Sequence, residues 1–121
     1  MEDDPEGFFM MAEAGKIDWA EHANDGVSTM NEIYALQESV QTAIDFYNEH
    51  PEDTLIVVTA DHATGGFTIG NESTGYETYF DLLTNQSGSQ VAFDEIVEAE
   101  LEKNPTLTFE EFAHKSKPSL V

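Results

Sequence analysis

A chain of 121 residues is one domain's worth, or a piece of a larger one, and its 40% apolar content with plentiful aromatics argues against wholesale disorder. Twenty-five acidic residues face four lysines and no arginine, and the formal net charge of -21 argues against nucleic acid and anionic membrane surfaces as partners. With no cysteine, disulfides, zinc-thiolate sites and thiol nucleophiles are excluded.

The opening "MEDDPE" is acidic and lacks the basic-then-apolar layout of a secretion signal, and it reads as the start of an excised piece. "GFFMMAEA", residues 7 to 14, is a short continuous apolar run after Pro5 and Gly7. That pattern predicts a strand buried on both faces, as in a parallel sheet. From Met30 the pattern changes: Met30, Ile33, Leu36, Val40, Ile44 and Tyr47 recur every three to four residues, which predicts an amphipathic helix. Thr29 with Glu32 reads as its capping box, with Ser28 as an alternative cap. Pro51 ends it and restricts His50 before it.

"TLIVVTA", residues 54 to 60, is β-branched and apolar, again a buried strand. Strand, helix and strand in that order predict an α/β fold with a βαβ unit over residues 7 to 70, its strands parallel and its crossover right-handed. The segments after Ala12 and after Ala60 then emerge at one edge of the sheet, where such folds place their ligands. Beyond Gly70 the pattern weakens and predicts a helical region over 71 to 121. "GNESTG" reads as a turn and "YETYFDLL" as a short helix. Val91, Phe93, Ile96, Val97 and Leu101 form a helical face ending before Pro105. A last helix is capped by Thr108 with Glu111. No stretch is long enough to span a membrane.

The shared edge carries Glu13, Asp18, His22, Asp61 and His62. Carboxylate oxygen and imidazole nitrogen are what zinc takes when no cysteine is offered, while magnesium prefers oxygen. Asp18 and His22 are four residues apart and share a face if "IDWAEHA" is helical. Taken alone, such a pair is commonly a solvated helix face, and an Asp-His after a strand is commonly a capped turn. Both pairs at one end of a βαβ unit, with only Lys16 as a nearby base, point to cations between them. The surplus acidity itself reads as a solvated surface, as salt adaptation, or as carboxylates that collect metal.

These residues resemble the alkaline phosphatases. In that family a strand ends in Glu, with Asp five residues on and His four further, and Thr-Ala-Asp-His follows the next strand. Glu13, Asp18, His22 and Thr59-Ala60-Asp61-His62 fall at matching spacing, within a resemblance covering roughly residues 7 to 70. It implies that Glu13 is a magnesium ligand, that Asp18 and His22 hold a first zinc, and that Asp61 and His62 hold a second. The implied reaction is hydrolysis of phosphate monoesters through a phosphoserine, in a parent enzyme that is a homodimer exported to the periplasm or cell exterior. Trp19 stands where many members carry His or Lys, and its expected place is the rim of the site, tuning the phosphate or magnesium environment.

The family's nucleophilic serine, in an Asp-Ser-x-Ala context, is not in this chain. His114 lacks the glycine that accompanies the family's third zinc histidine, and His50 reads as a structural residue at a helix end. The expectation is a single partial domain, 1 to 121, inactive by itself. Sulfatases, phosphodiesterases and phosphomutases share the two ligand pairs and are the alternative enzymes, but Glu13 and "TADHATGG" favour the phosphatase. A non-catalytic acidic module that binds metal loosely is the other alternative.

Overall fold

The computed structural model describes residues 4–70, 72–75 and 77–116. Four α-helices, α1 (Gly15–His22), α2 (Gly26–Glu49), α3 (Gln90–Lys103) and α4 (Phe109–Ser116), are joined by irregular segments and short 3-10 turns. Among the described residues there is no strand, and hence no sheet. The expected α/β architecture, with parallel strands at 7–14 and 54–60 and a βαβ crossover between them, is thus corrected to an all-helical arrangement.

The reason is that a strand exists only through a ladder of hydrogen bonds to a neighbour, and a doubly buried strand also needs a layer on each face. Neither is supplied here. Phe9 is 92% and Leu55 86% exposed, and Met10, Met11, Val57 and Val58 are exposed beside them. The apolar runs record a preference for a sheet interior that no other described segment satisfies.

Helix α2 follows its apolar stripe but begins four residues before Met30. Its cap is Asp25, whose Oδ1 accepts from the Ser28 N–H at 3.0 Å. Thr29 is buried inside the first turn instead, donating its hydroxyl to the Asp25 carbonyl at 2.9 Å, so the Thr29–Glu32 capping box does not form. The helix stops at His50, before Pro51, as the proline requires. Helix α1 ends through Asn24, held left-handed at φ 53, a conformation that asparagine tolerates better than most residues. The turn then delivers Asp25 directly as the next cap.

Phe8 meets Phe46 edge-to-face at 5.6 Å, while residues 12–16 border Glu32, Ala35, Leu36 and Ser39. The irregular segment therefore runs against the direction of α2 and brings α1 onto its N-terminal half. Asp25 also ties in the later chain: its carboxylate accepts from the side-chain amide of Gln86 and from the Gln90 N–H at the start of α3.

The last two helices sit where periodicity places them. Ser89 caps α3, and Asn104 ends it before Pro105. The box at α4 is reciprocal, with Thr108 N–H donating to Glu111 Oε2 at 3.0 Å and Glu111 N–H to Thr108 Oγ1 at 3.3 Å. Phe93 and Phe112 meet edge-to-face at 5.8 Å, and Phe112 is the one large apolar side chain buried among the described residues. Glu100 pairs with Lys103 and with Lys115 across the two helices; these hydrogen bonds hold its carboxyl down to about 2. The short helix expected in "YETYFDLL" is a 3-10 turn over Phe80–Asn85, and "GNESTG" contains another at Glu72–Thr74. Asn71 and Tyr76, at the edges of those two stretches, lie outside the described residues.

Candidate metal centre

The condition set by the spacing is met: helix α1 forms and places Asp18 and His22 on one face, with His22 Nε2 3.5 Å from Asp18 Oδ2. Asp61 and His62 lie on the irregular segment after residue 60, with His62 Nε2 3.4 Å from Asp61 Oδ2. The two pairs are neighbours, and Thr64 joins them. Its hydroxyl donates to Asp18 Oδ1 at 2.6 Å and lies 3.0 Å from His62 Nδ1. Its N–H donates to Glu21 Oε2 at 3.2 Å, one turn along α1 from Asp18. The juxtaposition survives without the sheet that was expected to create it.

Glycine makes this docking feasible. Gly65 has φ +66, and a Cβ there would collide with the backbone carbonyl of Glu21. Gly66, at φ +68, has open space around it. Two successive left-handed residues turn the chain away once Thr64 has been delivered to α1.

The pairs face solvent: the side chains of His22 and Asp61 are 70% and 90% exposed, and that of Asp18, beneath Thr64, is 38% exposed. Trp19 is exposed next to them and makes no hydrogen bond to the four. Glu13 stands apart. It lines a hollow of about 280 Å³ with Lys16, Glu32, Leu36 and Ser39, and no hydrogen bond or ion pair joins it to the pairs. His114 lies on α4 and His50 at the end of α2, its ring tilted against Phe46 at 4.6 Å between centroids.

The donor set fits a divalent ion in kind and in spacing. Two ligand atoms held about 2.0–2.1 Å from one tetrahedral zinc are themselves separated by about 3.3 Å. The oxygen–nitrogen separations of 3.5 and 3.4 Å in the two pairs are close to that. In number the set is short, because no three His, Asp or Glu side chains converge on one point among the described residues. Each pair offers two protein ligands, and further donors have to come from elsewhere.

Thr64 and Glu21 are the functional neighbours that the sequence reading missed. Glu21 lies three residues after Asp18, on the same helical face, and that offset was the available signal. Thr64 is 7% exposed in a strongly polar stretch. Nothing in "DHATGG" marks it beforehand.

Two carboxylate–imidazole pairs joined by one hydroxyl offer oxygen and nitrogen donors of the kind that divalent ions take. The chain belongs to the alkaline phosphatase family, whose model, described as alkaline phosphatase, matches residues 1–111. It is similar to alkaline phosphatase 4 of Bacillus subtilis, 48% identical over 64 residues that make up 53% of this chain and 14% of that protein. It is 36% identical to the repressible alkaline phosphatase of Saccharomyces cerevisiae over 71% of this chain and 16% of the yeast protein. Alkaline phosphatase H of Pseudomonas aeruginosa is 37% identical over 76% of this chain and 19% of its own length. The chain thus spans less than a fifth of these relatives. No solved structure matches it. Alkaline phosphatases work with metal ions, in keeping with the donor set. No helix among the described residues is long and apolar enough to cross a membrane.

Proposed function

We propose that this segment holds part of the metal site of an enzyme that hydrolyses phosphate monoesters. Asp18 and His22 take one zinc, Asp61 and His62 take a second, and Glu13 supplies a carboxylate to a magnesium ion, whose preference for oxygen it suits. The observation that carries this reading is the bridge through Thr64, which sets two correctly spaced ligand pairs side by side. Two divalent ions at such a site supply positive charge to the attacking and leaving oxygens of a phosphoryl transfer.

This chain's own residues hold and orient. Helix α1 aligns Asp18 with His22, the loop aligns Asp61 with His62, and the open face leaves room for a phosphate to approach. Trp19, exposed beside Asp18 in the chain, is placed to tune the phosphate environment. The serine nucleophile and the remaining ligands belong to the rest of the enzyme, which we place outside the cytoplasm as a homodimer. The family match favours this over the sulfatase, phosphodiesterase and phosphomutase alternatives.

Hydrolysis of p-nitrophenyl phosphate tests the reading. In the full-length protein Asp61→Ala is expected to lower turnover by on the order of 100-fold or more. The isolated 121-residue chain is expected to show none above background, having no Asp-Ser-x-Ala. Full activity in the Asp61→Ala enzyme would overturn the assignment of that pair.

A further inference from the structure

The hydrogen bonds of Thr64 carry more information than adjacency. A threonine hydroxyl has one proton to give, and an ionised carboxylate can only accept. The 2.6 Å contact with Asp18 Oδ1 therefore takes the Thr64 proton. What the hydroxyl then presents to His62 Nδ1, 3.0 Å away, is a lone pair. Two lone pairs facing each other at that distance repel, so Nδ1 must carry the imidazole proton. In neutral His62 this leaves Nε2 bare, and Nε2 is the atom that lies 3.4 Å from Asp61 Oδ2. A bare imidazole nitrogen and a carboxylate oxygen 3.4 Å apart are donors of the kind that a cation takes.

Thr64 is held to this task. It is 7% exposed, its N–H is fixed on Glu21 Oε2, and Gly65 seats the next residue against the Glu21 carbonyl. Its hydroxyl is not free to turn towards water.

We propose that Thr64 is a positioning residue that fixes His62 in its Nδ1–H tautomer and ties the two ligand pairs into one hydrogen-bonded line, Asp18–Thr64–His62. The proposal rests on the metal-site reading above for its purpose, and the tautomer on the 3.0 Å contact of Thr64 with Nδ1 prevailing over the longer, 3.4 Å approach of the Asp61 carboxylate to Nε2. A hydrogen-bonded partner of this kind orients a ligating imidazole and raises metal affinity, commonly 10- to 100-fold.

The test is nitrogen NMR of the metal-free 121-residue chain labelled in histidine, about two pH units above the ordinary imidazole value of about 6.5. His62 is expected as Nδ1–H in the wild type and in Thr64→Ser. In Thr64→Val it is expected to move towards the Nε2–H form that free imidazole prefers in water, with His50 and His114 unchanged. Zinc calorimetry on the same samples should show Thr64→Val weaker by about 10- to 100-fold and Thr64→Ser close to wild type. An Nε2–H His62 in the wild type overturns the proposal, as does a tautomer indifferent to Thr64→Val. Should the valine variant fail to fold, the wild-type and serine spectra decide, since both must show Nδ1–H. A wild type with Nδ1–H in a full-length enzyme that takes up no zinc upholds the tautomer and overturns the metal reading instead.

Discussion

Asp25→Ala is expected to destabilise the chain by on the order of 3 kcal/mol. The carboxylate caps α2 through the Ser28 N–H, and removal of such a cap costs about 1 kcal/mol. It also accepts from the Gln86 amide and from the Gln90 N–H, so roughly 2 kcal/mol more is lost with these charge-assisted bonds between distant parts of the chain. Asp25 is 7% exposed, so alanine leaves those donors unpaired in a place where water has little access.

The electrostatics of Asp25 agree with that role. Burial pushes its carboxyl up, but the Gln86 amide and the N–H groups of Gln90 and Ser28 outweigh it and hold the group below 3.8. A carboxyl depressed in the folded state contributes its full stability above its unfolded value of about 3.8, and loses it as pH falls through the lower folded value. Urea unfolding followed by helical circular dichroism near neutral pH should show a clearly lower midpoint for Asp25→Ala, with Asp25→Asn in between. A shift within about 0.5 kcal/mol of wild type would mean that Asp25 does not join the two parts.

Gly65→Ala is expected to undock the loop that carries the second ligand pair. An alanine at φ +66 costs roughly 1–2 kcal/mol in backbone strain alone, and here its Cβ also runs into the Glu21 carbonyl. That carbonyl is part of helix α1, which cannot give way without breaking its own hydrogen bonds, so the loop has to move. Thr64 then leaves Asp18 and Glu21, and the two pairs separate. Gly66→Ala is the internal control, because φ +68 imposes the same strain but the space around it is open. Zinc calorimetry should show Gly65→Ala weakened at least about tenfold, which corresponds to about 1.4 kcal/mol, and Gly66→Ala much less. Equal losses in the two variants would remove the collision with Glu21 from the explanation.

What could be read from the sequence follows from how local each signal is. The spacing of Asp18 and His22 needs only one helix to become a shared face, and α1 supplies it. The stops at Pro51 and Pro105 and the box at Thr108 and Glu111 depend on neighbours a few residues away, and they too appear. The cap of α2 was misplaced because Asp25 competes with Thr29 for the same role. Asp25 prevails by starting the helix a turn earlier and drawing in Gln86 and Gln90. The strands failed for the opposite reason. Residues 7–14 and 54–60 carry the right composition, but a strand is a property of two segments, and its pairing partners are not among the described residues.

The site shows both kinds of signal together. The sequence pointed to five side chains at one rim, and four of them are neighbours, joined by a threonine that no pattern singled out. Glu13 lies instead beside Lys16 and Glu32, on the side of the segment that faces α2. It precedes α1 within the irregular stretch whose strand did not form, so nothing directs its carboxylate towards Asp18.

Diffraction at the zinc absorption edge, from crystals of the 121-residue chain grown with zinc, examines the neighbourhood of Asp18, His22, Asp61 and His62 most directly. Anomalous peaks are predicted on the Asp18–His22 and Asp61–His62 pairs, with the Thr64 hydroxyl between Asp18 and His62. Peaks confined to other surface carboxylates, or a map in which the loop carrying His62 stands away from α1, would contradict the account.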